Sequence, residues 1–222
     1  MALRAIYILF EIPLFFDSPR MIFNFSTNKQ FATKITLNGE VLHTVNEQKI
    51  LGTILTSDLS WDRNTENLVK AANASMRLLH AASKFTRKLS DLKQIYTMYI
   101  RSRVETSVAV WHSGLTNLNK EMIERVQRQS MKIIFKKQYS SYEDALKVAK
   151  MDKLELRREK LCLNFALKAE SNQKFKHWFK PAVKKTNTRL KISKYEDVAF
   201  NHARMEKSPL SYLTKLLNNH YK

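Results

Sequence analysis

Arg125, Arg128, Lys132 and Lys136 follow one another at intervals of 3, 4 and 4 residues. On a helix that spacing lays four cations along one face. Such a stripe either grips phosphates or is a solvated face, and here few acids balance it. A second basic region gathers Lys174, Lys176, Lys180, Lys184, Lys185, Arg189, Lys191 and Lys194, with no acidic residue from Lys174 to Lys194. Phe175, Trp178 and Phe179 interleave with it, as stacking on single-stranded bases requires. The other role open to these rings is to close the core while the lysines solvate the surface.

Catalytic sets are harder to assemble. Six histidines and one cysteine are scattered, and no spacing suggests a Ser-His-Asp or Cys-His arrangement. His80, His112 and His177 stand beside apolar or aromatic residues, which suits ordinary packing. Asp58 with Asp62, and Glu143 with Asp144, are explained as turn and helix-cap residues. There is no glycine loop to cradle phosphate and no zinc knuckle. The single Cys162 excludes an intramolecular disulfide and reads as a core thiol on an apolar helical face.

Across 222 residues the net charge is +19. Such a field draws polyanions, nucleic acid first among them. Only 3 glycines and 4 prolines occur, so chain breakers are scarce and a mainly helical protein is expected. Residues 5 to 16 are apolar but too short to span a bilayer, and Glu11 and Pro13 interrupt them. Asn24-Phe25-Ser26 and Asn73-Ala74-Ser75 match the glycosylation pattern without other signs of secretion. No membrane association is expected, and the expected compartment is intracellular, nucleus or cytoplasm.

The elements that must position the basic residues follow from periodicity. Ile35 to Leu42, with Asn38-Gly39 at its centre, predicts a hairpin in which Ile35 faces Leu42. Ile50 to Thr56 predicts a short, largely buried strand, with Gly52 marking a bulge or a close backbone approach. Trp61 anchors the chain before a first helix capped by Asn64 or Thr65, whose stripe is Leu68, Ala71, Ala72, Ser75, Leu78, Leu79 and Ala82. A second helix starts near Ser90-Asp91, carries Leu92, Ile95, Tyr96, Tyr99 and Ile100 towards Trp111, and stops at Ser113-Gly114. A third runs from about Asn119 to Lys136, with Ile123, Val126, Ser130, Ile133 and Ile134 facing inward. Tyr142 to Ala149 and Leu154 to about Ala169 are two more, separated at Met151-Asp152. Ser208-Pro209 opens a last helix.

Several strings along this frame resemble one family in order. Lys49-Ile50-Leu51-Gly52 with Leu59-Ser60-Trp61 resembles the "K-x-L-G-x-x-L…L-S-W" stretch after the palm in reverse transcriptases of jockey-like, non-LTR retrotransposons. Ile95-Tyr96, Tyr99-Ile100-Arg101-Ser102 and Trp111 resemble "I-Y-x-x-Y-I-R-S…W". Glu124-Arg125-Val126-Gln127-Arg128 with Ile133-Ile134 resembles "L-E-R-x-Q…I-I". Leu154 to Leu161, with Arg157-Arg158, is similar to "L-x-x-R-R-x-x-L", and Lys168 fits the lysine that follows. Ser208-Pro209-Leu210, Tyr212-Leu213 and Leu216-Leu217-Asn218 resemble the terminal "S-P-x-x-Y-L…L-L-N". The series spans roughly residues 21 to 219, corresponding to the end of the palm, the thumb and the region beyond.

The resemblance implies that Lys49 and Gly52 belong to a primer grip and adds Arg157 and Arg158 to the nucleic-acid-binding set. The upstream "N-x-x-K-T" lysine and threonine are absent. So are the early palm aspartate and the "F-A-D-D" turn that would hold two Mg²⁺ ions in this family. Phe15-Phe16-Asp17-Ser18 lacks the second aspartate. No catalytic or metal-binding residue and no cofactor is therefore expected in these residues, Mg²⁺ belonging to the palm.

The expected fold is α+β and predominantly helical. Residues 1–20 are unassigned, 21–62 form a β-ribbon with the primer-grip-like strand, 63–140 a thumb-like bundle, and 141–222 a basic helical region. The expected function is binding of RNA or an RNA/DNA duplex through backbone phosphates, without sequence preference and with steep salt dependence. The alternatives are a helical protein-interaction module, an inert retroelement relic, or the end of an enzyme whose palm lies upstream.

Overall fold

The computed structural model describes residues 5–9, 20–24, 36–37, 40–41, 43–182, 193–196 and 207–222. The protein is α+β and predominantly helical, with short antiparallel strands ahead of a helical bundle. It divides into two units, residues 1–67 and 68–222.

The first unit holds three two-stranded antiparallel sheets among its described residues. β1 (Ala5–Leu9) pairs with β2 (Arg20–Asn24), so part of the unassigned N-terminal stretch is a strand. β3 (Thr36–Leu37) pairs with β4 (Glu40–Val41) in the register Thr36↔Val41 and Leu37↔Glu40, which is the register the Asn38-Gly39 turn predicts. Ile35, Leu42 and the turn residues themselves lie outside the described residues.

β5 (Glu47–Ile50) and β6 (Thr53–Thr56) correct the reading of the next stretch. Ile50 to Thr56 is not one strand with a bulge. It contains the turn of a hairpin, with Ile50 paired to Thr53 and Lys49 to Ile54. Leu51 and Gly52, the two turn residues, have φ of +47° and +88°. Positive φ at both positions is the signature of the two-residue turn whose twist matches that of antiparallel strands. A Cβ on Gly52 would meet nothing within 4 Å, so the glycine serves its backbone angle and not a close approach within the chain.

α1 (Asp62–Phe85) begins after Trp61, which is 8% exposed. Neither Asn64 nor Thr65 caps it, because both are fully buried inside its first turns. Asn64 Oδ1 instead accepts a hydrogen bond from Ile54 N at 3.0 Å, tying the helix to β6. The turn between them is closed by Asp58, whose Oδ1 accepts from Ser60 N at 3.0 Å and lies 2.6 Å from Thr56 Oγ1.

In the second unit, α2 (Leu89–Ile95) passes into a π-helical stretch at Tyr96–Arg101, then α3 (Ser102–Glu105). Leu92, Tyr96, Ile100, Val104 and Val108 are buried at strict four-residue spacing. An α-helix with 3.6 residues per turn would rotate such a row away from the core, and the wider π turn keeps it inward. The expected single helix to Trp111 is broken at Ser107, where φ is +53°, before α4 (Val108–Trp111). The chain then stops through a 3₁₀ turn at His112–Gly114.

α5 (Asn117–Phe135) is capped by Thr116, whose side chain accepts from Asn119 N. It buries Ile123, Val126, Ser130 and Ile134 as expected, and also Gln127 and Met131. Tyr96 OH donates to Gln127 Oε1 at 3.2 Å, and Gln127 Nε2 donates to the Asp152 carbonyl at 3.0 Å. α6 (Tyr142–Ala149) is capped by Ser141, which accepts from Asp144 N, while the Asp144 carboxylate accepts from the Ser140 and Ser141 hydroxyls. α7 (Leu154–Ser171) packs on α4, α5 and on α8 (Pro209–His220), the last capped by Ser208 with proline in its first turn. Cys162 is fully buried on α7, and burial pushes its thiol up to about 12.

Candidate nucleic-acid interface

The polar face of α5 carries the four cations predicted for it, but they are not equally free. Arg125 is exposed and makes no direct ion pair among the described residues, although its charge acts on Glu121 one turn away. Arg128 Nη1 lies 2.7 Å from Glu121 Oε1, and its guanidinium stands 5.3 Å over the Tyr142 ring. That hydrogen bond holds the Glu121 carboxyl below its usual range and Arg128 above its own. The Lys132 ammonium sits 5.7 Å over Tyr139. The chain leaves the helix at Lys136, where φ is +48°, and the Lys136 ammonium donates to the Ser83 carbonyl at the end of α1. The stripe exists in sequence. In space one member makes no direct contact with an acid, one is neutralised, and two are held by a ring or a carbonyl.

The paired arginines of α7 separate completely. Arg157 Nε lies 2.6 Å from Glu105 Oε1, which is also 3.6 Å from Arg101 Nε. Arg158 is fully buried, so its assignment to a nucleic-acid surface is wrong. Successive helical residues point about 100° apart. Leu154, Arg158, Cys162, Ala166 and Ala169 make one buried face, and Arg157 falls outside it. Arg158 Nε donates to His112 Nδ1 at 3.4 Å, and its two terminal nitrogens have no hydrogen-bond partner among the described residues. Burial holds Arg158 below the usual arginine range, and burial together with the Arg158 charge brings His112 down to about 4.

The basic region after α7 divides its aromatic residues between the two roles. Phe179 is 3% exposed and meets Tyr195 with ring centroids 5.7 Å apart, so it closes the core. Phe175 and Trp178 are 39% and 36% exposed and lie 4.8 Å apart, a surface ring pair on the 3₁₀ turn Lys176–Trp178. Lys174, Lys176 and Lys180 around them are exposed and carry no ion pair among the described residues. Lys194 is engaged: its Nζ lies 2.7 Å from Glu170 Oε1 and 3.6 Å from the Tyr221 ring centroid. Lys184, Lys185, Arg189 and Lys191 lie outside the described residues.

Lys49 and Gly52 belong to the β5–β6 hairpin of the first unit. Lys49 is exposed on β5, and the turn beside it presents Leu51 at 95% exposure. His80 and His177 are exposed, which corrects the expectation that both pack against apolar neighbours. His177 keeps only an edge contact with Trp178, at 6.4 Å.

Sequence reasoning missed the acids that occupy the basic residues. Glu121 precedes Arg128 by seven residues, two helical turns, and so shares its face. That signal was readable. The Glu105–Arg157 pair joins residues 52 apart in sequence and had no local signature.

Among the described residues no group of three or more His, Cys, Asp or Glu side chains is placed to hold a metal ion, and no helix is long and apolar enough to cross a membrane. Compared with known proteins, the chain matches no family model, no curated protein and no solved structure.

Proposed function

We propose that the chain binds RNA or an RNA/DNA duplex through backbone phosphates, as the thumb-side portion of a jockey-like reverse transcriptase would. The observation that carries this reading is the set of exposed cations without a direct ion pair among the described residues, Arg125 on α5 and Lys174, Lys176 and Lys180 around the Phe175–Trp178 ring pair. The +19 net charge supplies a long-range field of the same sign. The colinear motif series supports descent from that family. The β5–β6 hairpin, with an exposed Lys49 beside an open glycine turn, suits a backbone that approaches a nucleic-acid strand.

The contacts in this reading go to phosphates, which position a strand without reading its sequence. The aspartates that carry nucleotide addition in the family are not among the 222 residues, so the chain by itself adds no nucleotides. Titration of a labelled RNA/DNA duplex and a scrambled duplex into the chain tests this reading. Equal affinities for the two, with no primer extension, are expected. Absence of binding, a strong preference for one sequence, or robust nucleotide incorporation would each contradict it.

A further inference from the structure

The C-terminal ends of α1 and α5 meet at one corner of the second unit, because the Lys136 ammonium donates to the Ser83 carbonyl. Five cations gather there: Lys84, Arg87 and Lys88 at and after the end of α1, and Lys136 and Lys137 after α5. Cations at helix C-termini complement the macrodipole, and Lys136 does so directly. Lys84, Arg87, Lys88 and Lys137 make no ion pair among the described residues. Asp91, which follows Lys88 by three residues, accepts from the hydroxyls of Thr86 and Ser90.

Between Lys84 and Arg87 in the chain stands Phe85, 91% exposed, the most exposed aromatic ring among the described residues. An aromatic side chain left in water forfeits the burial that ordinarily stabilises it. The turn that presents it is fixed: Thr86 N donates to the Ala82 carbonyl at 3.0 Å, and Lys88 N donates to Thr86 Oγ1 at 3.2 Å. The backbone on both sides of the ring is therefore held in place with nothing covering the ring. A bare ring flanked by phosphate-binding cations is the arrangement by which proteins hold unpaired bases.

We propose that this corner is a single-strand binding site, in which Phe85 stacks on an unpaired base while Lys84, Arg87, Lys88 and Lys137 hold the flanking phosphates. This rests on the nucleic-acid reading above and adds to it a strand preference and a site apart from the Phe175–Trp178 pair. A duplex keeps its bases stacked on one another and offers no free face to Phe85, so duplex binding does not use the ring.

The test measures fluorescence anisotropy of a short labelled single-stranded RNA, the same strand with abasic positions, and an RNA/DNA duplex, each with the full chain. Phe85→Ala is expected to weaken binding of the base-bearing strand about fivefold to a hundredfold, with abasic-strand and duplex binding unchanged. Phe85→Trp is expected to retain wild-type binding, and both exposed-site variants to unfold with the wild type. The triple variant K84Q/R87Q/K88Q is expected to weaken both single strands and flatten their salt dependence. Wild-type affinity of Phe85→Ala for the base-bearing strand, with duplex binding intact, overturns this site and leaves the general reading standing. Failure of the wild type to bind any of the three probes overturns both. Preferential binding of a polyglutamate peptide over the single strand also overturns the site, marking it as a surface for acidic protein.

Discussion

Arg158 donates through Nε to His112 Nδ1 across 3.4 Å, with both side chains buried between α4, α7 and α8. Arginine can only donate. His112 must therefore be neutral, with its proton on Nε2, and the edge of its ring faces Tyr212 at 5.5 Å. A second charge on the imidazole would confront the guanidinium directly.

This pair predicts acid sensitivity. His112 is held at about 4 in the folded protein against 6.5 for the free side chain. Above about 6.5 both folded and unfolded states are neutral at this residue and its contribution is fully present. As pH falls from there towards 4 the unfolded chain takes up a proton that the folded one refuses, and stability is lost. The full shift corresponds to roughly 3 kcal/mol. Urea unfolding of wild type and His112→Gln at pH 7.5 and 4.5 checks this: the wild type loses more on acidification, and parallel losses contradict it.

Arg158 and Arg125 separate stability from binding. Arg158→Met leaves the His112 acceptor unpaired in the core, so a loss of about 1 kcal/mol is expected. Its nucleic-acid affinity stays at the wild-type value. Arg125→Gln does the reverse, changing stability by less than about 0.5 kcal/mol and lowering affinity. Thermal melts and duplex titrations of the two variants decide it. An affinity defect in folded Arg158→Met would return that residue to the binding surface.

At the β5–β6 turn the two positive-φ residues respond oppositely. Gly52→Ala introduces strain without a clash, costing about 1 kcal/mol. Leu51→Asn replaces a residue poorly suited to left-handed backbone, and a gain of about 1 kcal/mol is expected. Denaturation midpoints measure both, and a neutral Gly52→Ala would show that the turn relaxes freely.

Tyr96→Phe breaks the buried Tyr96–Gln127–Asp152 relay at its first link. Gln127 Oε1 then loses the Tyr96 hydroxyl as its donor inside the core, at a cost of about 1–3 kcal/mol. Gln127→Leu in the Tyr96→Phe background removes the orphaned acceptor and recovers part of that loss. Chemical denaturation of the single and double variants reads it.

What was legible in the sequence follows the physics of local signals. Asn38-Gly39 marked a hairpin and Ser208-Pro209 a helix start because these residues have few other conformational uses. Leu51-Gly52 hid a turn because leucine rarely takes positive φ and its neighbours are strand formers. Ser107 broke a helix without glycine or proline to announce it. The basic residues were countable from sequence, but their engagement was not, since Glu105 reaches Arg157 only through the packing of α7. Arg158 was the avoidable error: its four-residue spacing from Leu154 and Cys162 placed it inward.

The central claim is that unengaged cations bind nucleic acid through phosphates. Its most direct test is the affinity of a labelled RNA/DNA duplex for the whole chain as salt rises from about 50 to about 200 mM. Engagement of about six phosphates predicts a fall of about a thousandfold, linear in the logarithm of salt concentration. Affinity that holds constant over this range, or no binding at the lowest salt, would contradict the account.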